Sequence, residues 1–118
     1  MSTEARTLPP FSKVWRDVLD VVSKSSSIST LVHGIRNDIV GVNYSYIKVK
    51  SQRTGNTRIV PRSQFELVWN SLVSDGFYVS GTHKPYVHSQ IICAILSLLD
   101  YIEVRYGPLT LYLRSRKS

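Results

Sequence analysis

The segment from residue 46 to residue 76, YIKVKSQRTGNTRIVPRSQFELVWNSLVSDG, contains the patterns that decide the fold. Residues 46–51 and residues 57–60 each alternate between polar and apolar side chains, and the glycine-containing turn 53–56 lies between them. Alternation with a period of two on both sides of such a turn is typical of a β-hairpin with one buried face. The segment therefore predicts an antiparallel hairpin.

A helix is predicted directly after this hairpin, over residues 63–75. Apolar residues recur from Phe65 at the spacing i, i+3, i+4, i+7, which is typical of a helix with one buried face. Ser63 and Glu66 match a capping box, in which each side chain bonds an unpaired N–H of the first turn. Gly76 can adopt the left-handed conformation that ends a helix.

The flanking sequence extends this pattern in both directions. Helical spacing of apolar residues predicts an N-terminal helix from Phe11 to Val22, and residues 38–42 favour a short additional strand. A wide apolar face predicts a further helix over about residues 86–99. Alternation around Gly107-Pro108 then predicts a closing hairpin between residues 102 and 113.

These elements indicate an α+β fold with an N-terminal helix, a small antiparallel hairpin or sheet, and a winged-helix-like helix–helix–hairpin. We expect one domain over residues 11–113, preceded by a flexible segment, 1–10, and followed by a basic tail, 114–118. The first ten residues contain no apolar run, and the longest apolar stretch, residues 91–99, is too short to cross a bilayer. We therefore expect a cytoplasmic protein, associated with the nucleoid if it binds DNA, with no membrane partner.

The charge of the chain favours an anionic partner. Lys and Arg number 15 against 8 Asp and Glu, which gives a net charge of +7. Five basic residues and no acid lie between Asp38 and Glu66. The five are Lys48, Lys50, Arg53, Arg58 and Arg62.

The spacing of these cations suits a phosphate backbone. Lys48 and Lys50 share one face of the predicted hairpin, about 7 Å apart, which is close to the separation of successive phosphates on one strand. An edge strand whose lysines face solvent and block aggregation is the alternative interpretation. Five basic residues without an acid favour the first interpretation, and nucleic acid is the most common polyanion.

A winged-helix-like unit would add a second contact region. In such a unit the second helix enters the major groove with its N-terminal residues leading. Polar side chains here hydrogen-bond base edges or phosphates, and basic ones neutralise phosphates. The candidates are Lys84, His88, Ser89 and Gln90, with Arg114 of the basic tail.

The sequence contains no constellation for catalysis, metal binding or a cofactor. Cys93, the only cysteine, lies among apolar residues and is expected to be buried. His33, His83 and His88 lack the spacing of metal ligands. We therefore expect a non-enzymatic protein without metal or cofactor that binds double-stranded DNA, in a regulatory or defence-related role.

A resemblance to a known family supports the same expectation. Residues 47–55, IKVKSQRTG, continue into 59–65, IVPRSQF, and later into 89–96, SQIICAIL, and 101–104, YIEV. Over residues 38–104 this order resembles a small domain of bacterial proteins associated with HNH and McrA-like restriction endonucleases. The resemblance implies a DNA-associated module without the nuclease, since no HNH segment is present, and it implies contacts from Arg53 and Ser89.

Two other functions stay open at this point. A protein-interaction subunit, as a homodimer or a restriction accessory factor, would use exposed aromatic residues as its contact surface. The candidates for that surface are Tyr78, Tyr86, Tyr106 and Tyr112. Binding of RNA or of single strands would instead stack bases on Tyr44 and Tyr46.

Overall fold

The structure, a computed structural model, describes residues 8–114 of the chain. It contains three helices and seven strands within those residues. In chain order these are α1 (Phe11–Ser23), β1 (Ser27–Ser29), β2 (Arg36–Val42), β3 (Tyr46–Ser51), β4 (Thr57–Pro61), α2 (Arg62–Asp75), β5 (Phe77–Val79), α3 (Ser89–Leu96), β6 (Ile102–Arg105) and β7 (Thr110–Leu113). Most of the predicted N-terminal segment, 1–10, and of the predicted basic tail, 114–118, lies outside the described residues.

The α+β class and the order of the main elements are confirmed. The strands form two antiparallel sheets, a four-stranded sheet in the order β1-β2-β3-β4 and a three-stranded sheet in the order β5-β7-β6. Within residues 8–114, no helix combines the length and the apolar character that crossing a bilayer requires.

The four-stranded sheet is larger than the sequence predicts. Strand β1, Ser27-Ile28-Ser29, was not predicted. It begins at the last residue of a run of three serines, which suggests a loop. Ile28 is buried, and β1 pairs with β2 over its whole length. Burial of one isoleucine and pairing with a longer strand thus override the low strand propensity of serine.

Helix α2 begins differently from the prediction. It starts at Arg62, directly after Pro61, and has no side-chain cap, so the predicted capping box of Ser63 and Glu66 is wrong. The Glu66 carboxylate instead lies 3.9 Å from the Arg62 guanidinium, one turn away. The predicted end is confirmed, because Gly76 has φ of 85° and its N–H bonds the carbonyl of Leu72.

The core joins all three helices to one face of each sheet. Trp15 of α1 is fully buried and lies 5.1 Å, ring to ring, from Phe65 of α2. Its indole Nε1 donates a 2.7 Å hydrogen bond to the carbonyl of Tyr44, in the turn between β2 and β3. Helix α1 is therefore fixed both to α2 and to the hairpin end of the four-stranded sheet.

Helix α3 is shorter than predicted, with eight residues in place of about fourteen. The preceding segment, 80–88, is a loop, and the Tyr78 hydroxyl holds it by a 2.9 Å hydrogen bond to the carbonyl of Pro85. Tyr78 belongs to β5, a strand that the sequence analysis missed. Strand β5 adds to the predicted closing hairpin of β6 and β7 through its pairing with β7.

Candidate functional site

The register of the four-stranded sheet separates two faces. Ile47 and Val49 of β3 are fully buried against the helices, which defines the inner face. Residues directly opposite each other in an antiparallel pair share a face. Lys48 and Lys50 alternate with the buried residues and lie on the outer face, as predicted.

The outer face holds an acid that the sequence places outside the hairpin. Asp38 of β2 lies directly opposite Lys50, and its carboxylate accepts a 3.0 Å hydrogen bond from Nε2 of Gln52. The basic hairpin is therefore free of acids along the chain but not in space. Lys48 lies opposite Gly41 instead, whose missing side chain leaves room for the Lys48 stem, 3.3 Å from the position of a Cβ.

Arg58 lies on the other face of the hairpin from the two lysines. It is opposite Val49, whose side chain is on the inner face, and it is exposed. Arg53 lies in the exposed turn between β3 and β4. The prediction grouped these four cations, and the structure divides them between two surfaces.

Arg53 and Arg58 line a cleft of about 300 Å³ at one end of the sheet. We call it the arginine cleft. The turn 30–35, the hairpin turn and the start of α3 surround it. Its lining residues are Thr30, His33, Ile35, Asn37, Ser51, Arg53, Thr54, Asn56, Arg58 and Gln90, none of which is an acid.

The floor of the cleft carries a polar atom without a partner. Asn37 has no exposed surface, and its Nδ2 donates a 3.1 Å hydrogen bond to the carbonyl of Ile35. Its Oδ1 has no hydrogen-bond partner within residues 8–114. Oε1 of Gln90, also in the lining, is a second buried oxygen without a partner in that part of the chain.

The remaining cations are mostly paired with acids. Ion pairs within residues 8–114 join Lys13 to Asp17, Lys24 to Asp20, Arg36 to Asp38, Arg62 to Glu66 and Arg105 to Glu103. The described residues offer no ion-pair partner within 4.0 Å to Lys48, Lys50, Arg53 or Arg58. A groove of about 460 Å³ elsewhere is lined by Asp17, Asp20 and Asp100, so its charge disfavours anions.

Arg62 has a structural role that the sequence did not indicate. Its guanidinium carbon lies 4.9 Å from the ring centre of Phe11 and 5.1 Å from that of Tyr44. The charged group thus stacks between α1 and the turn that precedes β3, where it contributes to packing.

The guanidinium of Arg114 also forms hydrogen bonds within the protein. Its Nε donates a 2.8 Å hydrogen bond to the carbonyl of Asp100, and its NH2 group lies 3.3 Å from the carbonyl of Ile102. The guanidinium thereby satisfies carbonyls around the start of β6. The other basic residues of the predicted tail, Arg116 and Lys117, lie outside the described residues.

Helix α3 is not arranged as a groove-reading helix, so this prediction is wrong. Seven of its eight residues are buried, which leaves no face for a major groove. Ser89 is 5% exposed and its hydroxyl lies 3.0 Å from that of Ser80. Nε2 of Gln90 also donates to that Ser80 hydroxyl, at 3.3 Å.

His88 directly precedes α3, and its side chain is hydrogen-bonded to another side chain. Its Nδ1 lies 2.9 Å from Oε1 of Gln64, and its backbone has a left-handed φ of 69°. Burial lowers the pKa of His88, and the positive charge of Arg58 lowers it further. Lys84 is exposed in the loop before α3, so it alone of the predicted groove residues keeps an unhindered charge.

The aromatic surface of the interaction hypothesis is only partly formed. Tyr78 is fully buried, so it cannot contribute to an interface. Tyr86 and Tyr106 are more than half exposed, whereas the ring of Tyr112 packs near Phe77. Tyr44, a candidate for base stacking, is 65% exposed.

Cys93 is buried, as predicted, and burial raises the pKa of its thiol to about 12. The thiol is therefore neutral and unreactive in the folded protein. Among residues 8–114 there is no cluster of three or more His, Cys, Asp or Glu side chains that could hold a metal ion.

Two members of this site, Asn37 and His33, were not predicted from the sequence. Asn37 lies two residues before Ile39, on the inner face, so a polar residue in an apolar alternation was the available signal. His33 gave no comparable signal, because its place beside the hairpin turn depends on the pairing of β1 with β2.

Comparison of the chain with protein-family models, with curated proteins and with solved structures finds no match. The resemblance to the domain associated with restriction endonucleases therefore stays a prediction.

Proposed function

We propose that this protein binds nucleic acid without catalysis, through contacts between the β3–β4 hairpin and the phosphate backbone. The observation that carries the proposal is the set of four hairpin cations, two on each surface, with no ion-pair partner in residues 8–114. Of the other eight cations in this part of the chain, five are paired with acids. Unpaired cations gathered on one element favour a polyanionic partner.

The division of the cations favours a duplex over a single strand. Lys48 and Lys50 lie on one face of the hairpin, while Arg58 lies on the other and Arg53 lies in the turn. A groove of B-form DNA has a phosphate backbone on each side, and the major groove admits a two-stranded β-ribbon. The inner face of this sheet packs on the helices, so only the exposed hairpin end can enter a groove, where Arg53 and Arg58 can contact one backbone while Lys48 and Lys50 contact the other.

The burial of α3 limits the sequence specificity of the proposed binding. Because that helix presents no polar face, binding depends on phosphates and has little sequence specificity. Lys84, in the exposed loop before α3, supplies an additional phosphate contact.

Single-stranded nucleic acid is the second candidate, and the exposure of Tyr44 favours it. The Tyr44 ring is 65% exposed and lies at the β2–β3 turn, just before the strand that carries Lys48. Aromatic rings beside a cationic track bind single strands by stacking with bases. A competition experiment with unlabelled duplex DNA, single-stranded DNA and RNA separates the two candidates.

The experiment is a salt titration of binding to a labelled duplex, followed by fluorescence anisotropy. The logarithm of the association constant should fall linearly with the logarithm of salt concentration, with a slope of about 0.9 per phosphate contact. The double variant Lys48→Gln, Lys50→Gln should reduce the slope by roughly 1.8, twice that value. The matched control is Lys13→Gln, Lys24→Gln, which removes two lysines that are paired with acids on α1. An affinity that is independent of salt, or an equal loss in the control variant, would contradict the proposal.

A further inference from the structure

The arginine cleft has the features of a binding site for a small molecule, separate from the outer face of the sheet. We propose that it binds a phosphate monoester that also carries a hydrogen-bond donor, of which a nucleoside monophosphate with an exocyclic amino group is the representative. The phosphate contacts Arg53 and Arg58, and the donor reaches Oδ1 of Asn37. This proposal does not depend on the binding of polymeric nucleic acid by Lys48 and Lys50.

The two arginines supply the phosphate end. Both line the cleft, and neither has an ion-pair partner within residues 8–114. A guanidinium presents several N–H donors in a planar fork that matches the oxygens of a phosphate. His33 also lines the cleft, and no acid lines it to oppose an anion.

The buried Asn37 side chain is the reason why the ligand needs a hydrogen-bond donor. Asn37 has no exposed surface, and its Nδ2 is committed to the carbonyl of Ile35, which fixes the orientation of the amide. Its Oδ1 is therefore an acceptor that the described residues leave unsatisfied. Buried acceptors without partners are rare and destabilising, so a cleft that keeps one is suited to a ligand with an N–H or O–H group.

Gln90, another lining residue, strengthens this argument. Its Nε2 donates to the hydroxyl of Ser80, while its Oε1 is buried without a partner in the described residues. The residues that line the cleft therefore include two buried amide oxygens without partners and two exposed arginines. A bare inorganic anion would satisfy the arginines but neither amide oxygen.

The size of the cleft limits the ligand. A volume of about 300 Å³ is at the lower end of the range for small-molecule sites. The site therefore suits one nucleotide and not a length of polymer. Its lack of acids disfavours cations and polyamines as ligands.

The test is a titration of the complete chain with adenosine 5′-monophosphate, followed by the amide signals of residues 53–56 and Gln90 in NMR spectra. Arg58→Gln should weaken binding by about tenfold, since it removes a charge-assisted hydrogen bond to phosphate. Arg58 is exposed, so this variant is expected to fold. Purine riboside 5′-monophosphate, which lacks only the amino group, should bind to the unaltered protein about fivefold more weakly.

A matched control distinguishes this site from the polynucleotide surface. The variant Lys48→Gln, Lys50→Gln should bind the mononucleotide normally while it loses affinity for duplex DNA. Equal binding of adenosine monophosphate and inorganic phosphate, an unchanged affinity in Arg58→Gln, or no saturable shift at millimolar ligand would each overturn the proposal. These results test the roles of Arg53 and Arg58 in mononucleotide binding, whereas the salt titration tests the contacts of Lys48 and Lys50 with duplex DNA separately.

Discussion

Asp38 and Lys50 lie directly opposite each other on neighbouring strands, on the outer face of the four-stranded sheet. The carboxylate also accepts a hydrogen bond from Gln52 and lies 4.0 Å from the guanidinium of Arg36. A negative charge thus lies among the cations that we propose to contact phosphates. This arrangement limits the affinity of the surface for a polyanion.

Removal of this charge should strengthen nucleic-acid binding. Asp38→Asn keeps a carbonyl oxygen for Gln52 and removes the repulsion of phosphates, so the affinity for a duplex should rise by about threefold at low salt. Anisotropy titrations measure this change. Asp75→Asn, at the exposed end of α2, is the control and should have no effect. An unchanged affinity in Asp38→Asn would place the nucleic acid away from the outer face.

Replacement of Arg62 should affect stability and not binding. Arg62→Gln removes the guanidinium from between Phe11 and Tyr44, and the free energy of unfolding should fall by about 1 kcal/mol. Urea denaturation measures this loss. Arg53→Gln removes the same charge from an exposed turn and should leave stability unchanged. A loss of duplex affinity in Arg62→Gln larger than that in Arg53→Gln would contradict the structural role.

Tyr101→Phe should weaken the attachment of α1 to the C-terminal half of the chain. The Tyr101 hydroxyl donates a 2.8 Å hydrogen bond to the Asp17 carboxylate, and its loss should reduce the free energy of unfolding by about 1 kcal/mol near neutral pH. Tyr106→Phe, which alters an exposed ring, is the control.

The effect of Tyr101→Phe should also depend on pH. Burial raises the pKa of Asp17, but hydrogen bonds from Lys13 and Tyr101 outweigh it, and the net pKa lies below the ordinary value of 3.8. A carboxylate with a lowered pKa stabilises the fold above its unfolded pKa, and this stability is lost as pH falls through the folded pKa. The difference between the wild type and Tyr101→Phe should therefore shrink below pH 3.8.

His88 should make the fold less stable in mild acid. Burial, followed by the charge of Arg58, lowers its pKa below the ordinary 6.5, so the unfolded chain binds the proton more readily. The stability of the neutral form is complete above 6.5 and falls as pH drops below that value. His88→Asn tolerates the left-handed backbone and should flatten the pH dependence of the urea midpoint. A slope equal to that of the wild type would contradict this assignment.

Cys93 should resist alkylation in the folded protein. Burial raises the pKa of its thiol to about 12, so little thiolate exists at pH 8 and the sulfur is inaccessible. Iodoacetamide should label the chain in urea but not in buffer, as mass spectrometry would show. Ser74→Cys, which adds an exposed thiol on α2, provides the reactive control. Rapid labelling of Cys93 without denaturant would show that α3 opens readily.

Local patterns predicted much of the fold. The alternation of β3 and the helical spacing of α2 identified both elements, and Gly76 identified the end of α2. Elements with weak local signals were missed, because β1 and β5 have three residues each and gain stability from pairing with longer strands. The N-terminal residues of α3 were misassigned, since an apolar run does not show where a helix begins.

The sequence by itself determined the class of this protein, its excess of positive charge and the face of β3 that carries Lys48 and Lys50. These properties depend on residue type and on a period of two, which are local. Only the tertiary structure decided which cations are available, because it stacked Arg62 on aromatic rings and placed Asp38 opposite Lys50. It also brought Asn37, Arg58 and Gln90 around one cleft. These neighbours are distant in the chain. Their positions are set by strand register and helix packing, which no local sequence pattern encodes.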